Sequence, residues 1–325
     1  MDSLALHRAA FVIDGHNDTL VAHIRRGLWS LSGDTGGAEG RHAGTIAFLR
    51  GAAPAEPVQI NLPTMRAGGI HAGLFAIDVT LARCNHLAYA LDGFGYLLRD
   101  LEHSQAEAVI VRTAADLHAA RAAGKLALIL AVEHADVTER SLNILRMLFE
   151  VGVRSIGLTH NVSSAAADGC LEARDGVGLT QYGVALVREM NALGMVVDLA
   201  HASPGAFFHG LEVSGKPVIF SHGNARALCD HPRNLSDDQL RALAQHGGVI
   251  GLSFVPYFVD AQAPSLERWL EHVDHIASVA GIEAVGLGSD FDGGGTLLRD
   301  ATELPSITEG LLRRGYTEPD IRKVL

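Results

Sequence analysis

The sequence is short of cysteine, proline, basic residues and long apolar runs, and each shortage removes a class of protein. Its three cysteines, Cys84, Cys170 and Cys229, are odd in number and far apart. They build neither a disulfide framework nor a CxxC zinc site and read as small buried or surface thiols. Only 10 prolines stand against 48% hydrophobic residues, so the chain is neither fibrous nor low in complexity and can bury a large core. Lys and Arg number 26 against 37 Asp and Glu, a formal charge of −11. Nucleic acid or an anionic membrane calls for a basic face, so neither is the expected partner, and a small molecule is. Apolar runs such as Leu126 to Val132 fall far below the ~20 residues that cross a bilayer, and Met1 to Ala10 carries charges without a signal-like apolar stretch. The expectation is a cytoplasmic protein, with a homodimer compatible with the sequence.

What the sequence does have is alternation. Eight short aliphatic or β-branched runs read as buried parallel strands: Phe11–Asp14, Ile70–Val79, Leu126–Glu133, Ser155–His160, Met195–His201, Val218–His222, Val249–Phe254 and Ala284–Ser289. Between them lie segments with apolar residues three and four apart, among them Ser141–Val151, Leu179–Leu193, Ser236–His246 and Leu266–Ala280. Ser236 before Asp237 and Asp238 reads as an N-cap, and Gly194 and Gly281 close their helices. Eight strand–helix alternations predict a (β/α)₈ TIM-type barrel, a single domain over residues 1–325, with a doubly wound open sheet as the alternative. The Gly- and Ala-rich stretch from Gly27 to Val58 is read as a long loop after strand one, either a lid at the barrel mouth or a plain insertion.

A barrel of this kind places its chemistry at the C-terminal ends of its strands, so what terminates each run is the useful question. Strand one ends in Asp14-Gly-His16-Asn-Asp18, strand three in Glu133-His134, strand four in Thr159-His160-Asn161 and strand five in Asp198-Leu-Ala-His201. Strand six ends in Ser221-His222 and strand eight in Gly288-Ser289-Asp290-Phe-Asp292. Strand starts are mostly Gly, Pro and apolar residues. Alone, His16 and Asp18 are an ordinary turn, and His201 and His222 are ordinary core histidines. Glu133 is harder to dismiss, because a carboxylate behind seven apolar residues is costly unless cations neutralise it. Together these residues make one dinuclear site. His16, Asp18 and Glu133 surround one metal, Glu133, His201 and His222 the other, and Glu133 bridges. Nitrogen and carboxylate ligands suit two Zn²⁺ ions doing hydrolysis; manganese, cobalt and iron also fit the ligand type. His272 and His275 are assigned to a solvated helix face, His134 to a supporting or solvent-facing role, and Asp14 and Asp198 to orienting ligands or backbone.

These motifs resemble the membrane (renal) dipeptidase family of zinc peptidases, a branch of the amidohydrolase-like barrels. The resemblance rests on Ile-Asp-Gly-His-Asn-Asp at 13–18, Glu133-His134, Gly157-Leu-Thr-His160-Asn161, Asp198-Leu-Ala-His201 and Ile219-Phe-Ser-His222. Asp230-His-Pro-Arg-Asn234 and Gly286-Leu-Gly-Ser-Asp290-Phe-Asp-Gly293 complete it, so that it runs from residue 11 to about 293. It implies that His160 contacts the scissile carbonyl oxygen, that Arg233 grips the substrate's C-terminal carboxylate and that Asp290 moves the proton. It further implies dipeptide hydrolysis by a hydroxide bridging the two metals, including dipeptides with a C-terminal D-residue. Lactam, N-acyl amino acid or phosphoester hydrolysis on the same metals is the nearest alternative, and a binding barrel without catalysis a third. Two departures stand out. The chain stops at Leu325 in a predicted helix where relatives continue, which implies a trimmed chain or a missing barrel-sealing element. Val255 stands where relatives commonly place an aromatic.

Overall fold

The computed structural model describes residues 2–21, 30–33, 58–82 and 85–325. Cys84 and most of the Gly27–Val58 stretch lie outside the described residues. The strands, in chain order, are β1 (Val12–Asn17), β2 (Ile70–Asp78), β3 (Ala108–Ile110), β4 (Leu126–Glu133), β5 (Val153–Gly157), β6 (Val196–Asp198), β7 (Ile219–Gly223), β8 (Val249–Leu252) and β9 (Val285–Leu287). All their pairings are parallel. Eight of the strands close into a ring in the order β1-β2-β4-β5-β6-β7-β8-β9, with β9 returning to β1 through Asp14 and Leu287. The fold is therefore the closed, eight-stranded parallel barrel of the (β/α)₈ class, and the open sheet is set aside.

The ninth strand was not among the eight sequence runs. β3 pairs only with Leu126–Leu128, and β5 takes the same edge of β4 further along, from Leu130 to Val132. Three residues of strand carry too short a period for sequence patterning to detect.

Local signals place the helices. Ser236 caps the helix Asp237–Gln245 in a reciprocal box with Gln239, and Ser141 caps Leu142–Val151. Gly194 closes Gln181–Leu193 in the left-handed conformation that glycine adopts without a Cβ penalty. The helix Leu266–Ala280 ends at Gly281. Its residue His272 corrects the sequence reading. It is fully buried rather than solvated, accepting from the Ala225 amide (3.0 Å) and donating to the Val259 carbonyl (2.8 Å). His275 is half-buried and bonds Asp237 at 2.7 Å. No helix among the described residues is long and apolar enough to cross a membrane.

Candidate metal centre

The strand ends converge as the barrel register requires. β2 and β4 run in step from Ala72 opposite Ala127 to Asp78 opposite Glu133, which lifts the Glu133 carboxylate to the mouth. Asp14 in β1 does not enter the site. Its carboxylate accepts from the Ser289 amide (2.8 Å), Ser289 Oγ (2.9 Å) and Asn17 Nδ2 (3.1 Å), tying β1 to the turn after β9. Asp198 does the same between β6 and β7, accepting from the Ala200 and Ser221 amides. Both aspartates therefore orient backbone, as the sequence reading assigned them.

At the centre, Glu133 Oε1 lies 2.8 Å from His201 Nε2 and 3.4 Å from His222 Nε2, and those two nitrogens are 2.8 Å apart. His16 Nε2 lies 3.6 Å from Asp18 Oδ2. The rings are aligned by what their other nitrogens meet. His201 Nδ1 lies 2.9 Å from Asn161 Oδ1 and His222 Nδ1 lies 2.8 Å from Ser221 Oγ, which leaves both Nε2 atoms directed at Glu133. His16 stacks on His222 at 3.9 Å between centroids, and His160 on His201 at 4.2 Å. Despite this crowding, His16 Nε2, Asp18 Oδ1 and Glu133 Oε1 are buried without a hydrogen-bond partner. Buried polar atoms in that state are costly unless something else completes them.

Divalent cations would complete them. The ligand atoms of His16, Asp18 and Glu133 lie within 4.8 Å of one another, as do those of Glu133, His201 and His222, so Glu133 belongs to both groups. The electrostatics point the same way. Burial pushes the Glu133 carboxyl well up, and the neighbouring Asp18, Asp78 and Asp290 charges add to it while His16 opposes them. Burial disfavours a charged His16, yet the adjacent Asp18 carboxylate and the charges of Glu133 and Asp290 hold it at about 10. Burial, reinforced by the Arg233 charge, drives His201 and His222 well below the ordinary imidazole range, the neutral state a metal ligand needs.

The other three site residues line the same cavity of about 240 Å³, together with Asp18, Asp78, Glu133, Tyr257 and Phe258. His160 Nε2 is 3.9 Å from Glu133 Oε2. Asp290 is 7% exposed, has a left-handed backbone (φ 58°) and is raised to about 6, first by burial and then by the Asp18 charge, with His16 opposing. Gly293 makes room for this cluster, because a Cβ there would stand 2.0 Å from Asp18 Oδ2 and 2.4 Å from Asp290 Oδ1. Arg233 is 2% exposed, and only its Nη2 has a partner, the His222 carbonyl at 3.0 Å; Nε and Nη1 have none. Phe220 and Phe258 flank the guanidinium at 5.8 and 5.4 Å.

All eight residues singled out from sequence thus meet at one mouth, whereas His134, with a positive φ of 87°, is buried rather than solvent-facing and does not line the cavity. Sequence reasoning missed Asp78, because the second run was read through to Val79 and so hid its terminal acid. Asn161 and Ser221 stood inside quoted motifs without a role. Val255 is buried, and the aromatic surface of the cavity comes instead from Tyr257 and Phe258.

Known proteins resemble the chain over nearly its whole length. The model of the membrane dipeptidase family (peptidase family M19) matches residues 2–325. Dipeptidase verJ of Clonostachys rogersoniana is 36% identical over 220 residues, 66% of this chain; the chain spans 57% of that relative's length. The crystal structure of dipeptidase AC, a metallopeptidase of family M19, superposes with a TM-score of 0.82 at 28% identity, covering 97% of this chain and 95% of that one. A metallopeptidase from Rhodobacter sphaeroides, liganded with a phosphinate mimic of the dipeptide L-Ala-D-Ala, gives 0.81 at 27%, covering 97% and 96%. The chain therefore belongs to the membrane dipeptidase family, peptidase family M19, a family of peptide-bond hydrolases.

Proposed function

We propose that the protein is a dipeptidase that works with two zinc ions, one held by His16, Asp18 and Glu133 and the other by Glu133, His201 and His222. The observation that carries this reading is Arg233, a buried guanidinium with two unpaired nitrogens on the wall of the cavity that the ligand cluster lines. A planar cation left unpaired beside a cluster of acids is suited to a carboxylate brought by the ligand. The cavity is also smaller than the ~300–1,000 Å³ of drug-sized sites, which restricts it to small substrates.

Two divalent ions in this setting would lower the pKa of a water and polarise the scissile carbonyl. Arg233 fixes the C-terminal carboxylate and so places the peptide bond at the cluster. His160 donates to the carbonyl oxygen as negative charge develops there. Asp290 takes a proton from the attacking water; as the C–N bond breaks, it passes that proton to the leaving nitrogen, which departs as a free amine. The Rhodobacter sphaeroides relative bound to an L-Ala-D-Ala mimic supports tolerance of a D-residue at the C-terminal position.

The test is a screen of the zinc-loaded protein against L,L- and L,D-dipeptides, their C-terminal amides and N-acyl amino acids. Dipeptides should be cleaved and their amides should not. Turnover confined to N-acyl amino acids, or equal turnover of amides and acids, would contradict the reading.

A further inference from the structure

Asp78 ends β2 beside Glu133, and nothing in the reaction above uses it. It is 7% exposed and lines the cavity. One oxygen, Oδ1, is committed locally, accepting from the Thr80 amide (2.8 Å) and Thr80 Oγ1 (2.6 Å). The other, Oδ2, lies 3.9 Å from His160 Nε2, beyond hydrogen-bond distance. A buried carboxylate next to a second carboxylate calls for a cation. Asp78, Glu133 and His160 have ligand atoms within 4.8 Å of one another. Glu133, however, is already divided between the two positions flanked by His16 and Asp18 and by His201 and His222. An organic cation carried by the ligand answers the need without a third claim on Glu133.

Position in the barrel says where on the ligand that cation sits. In the ring β1-β2-β4-β5-β6-β7-β8-β9, β2 stands four places from β7, directly across the mouth. The segment following β7 carries Arg233. Two extended residues span roughly 7 Å, so a dipeptide whose carboxylate meets Arg233 directs its amino end toward the β2 wall. The substrate's own connectivity fits as well. Its amine nitrogen and scissile carbonyl flank a single Cα, just as Asp78 adjoins His160 in the cavity wall.

We propose that Asp78 anchors the free ammonium group of the substrate, so that the site measures a dipeptide by its two opposite charges. The assignment rests on the dipeptidase reading and names what that reading leaves open, the demand for a free N-terminus. Asp78 is then a specificity-determining residue: it holds the amino end and takes no part in bond breaking.

The experiment compares alanyl-alanine with propionyl-alanine, the same molecule without its amine, using L- and D-alanine at the C-terminal position. Zinc-loaded parent protein and Asp78→Asn are assayed side by side. Asparagine keeps the shape and the bonds to Thr80 but not the charge. The parent should favour the free amine by on the order of 100-fold in kcat/KM, and Asp78→Asn should cut that preference by on the order of 10- to 100-fold. The loss should come through KM for alanyl-alanine, with propionyl-alanine turnover and metal content unchanged. A purely structural role would lower both substrates alike and leave the ratio intact, overturning the proposal. Loss of a metal ion in Asp78→Asn would make Asp78 a ligand and overturn it too. A parent that cleaves both compounds equally removes the ammonium anchor but leaves peptide-bond hydrolysis standing; a parent that cleaves neither removes both readings.

Discussion

Two groups of buried histidines, one in the helical shell and one at the barrel mouth, are alike in residue type and burial and opposite in what surrounds them. In the shell, His7 lies 2.7 Å from both Thr308 Oγ1 and the Gly68 carbonyl, and His272 is shared between the Ala225 amide and the Val259 carbonyl. Each ring has one donor and one acceptor partner, so each neutral imidazole is complete. At the mouth, His16 Nε2 has no hydrogen bond, and the Nε2 atoms of His201 and His222 crowd each other and the unpartnered Glu133 Oε1. Burial therefore does not separate a structural histidine from a ligand. What differs between these two groups is that fixed protein groups exhaust both nitrogens of His7 and His272, whereas at the mouth they leave His16 Nε2 without a partner.

Substitutions on the two sides should differ accordingly. The largest effect is expected at Glu133, whose carboxylate stands in both ligand groups. Glu133→Ala should empty both metal positions and abolish turnover, as metal analysis and a dipeptide assay would show; retention of one ion at full occupancy would mean that the carboxylate is not shared. Asp290→Asn keeps the shape but accepts no proton. It should retain about two ions per chain while kcat falls by on the order of 10²-fold or more. Full activity in this variant would exclude the proton transfer, and loss of an ion would make Asp290 a ligand.

Arg233→Met should act on binding. It removes a charge-assisted hydrogen bond, so KM for dipeptides should rise by on the order of 10- to 100-fold with kcat largely kept, and the preference for acids over C-terminal amides should weaken. The smallest effect on activity belongs to the shell. Burial pushes His272 down to about 4 from its ordinary 6.5, with the bond to Val259 opposing. Between those values the unfolded chain binds a proton that the folded chain does not. The contribution to stability is thus present above pH 6.5 and is lost as pH falls toward 4, by on the order of 3 kcal/mol. His272→Gln should leave kcat unchanged and flatten the pH dependence of urea unfolding over that window; an unaltered slope would show that His272 does not carry it.

The same contrast explains what could be read from sequence. The barrel was legible because its strands are continuous apolar runs and its helices carry caps such as Ser236 and Gly194, all local signals. His16, Glu133, His201 and His222 were legible because an ionisable residue directly after an apolar run marks a strand end. Asp78 follows the same rule, but Val79 behind it extends the apolar run and conceals the end. His272 was misread because its partners, the amide of Ala225 and the carbonyl of Val259, are backbone groups brought close only by tertiary packing. The gap that Gly293 leaves for two carboxylates is equally invisible in one dimension.

The central claim is that Glu133 joins two divalent ions at the mouth, and anomalous scattering from zinc-soaked crystals of the parent protein tests it most directly. Two peaks should appear, each about 2.0–2.2 Å from a Glu133 oxygen. One should be completed by His16 and Asp18 and the other by His201 and His222. A single peak, or two peaks that do not share Glu133, would contradict the account.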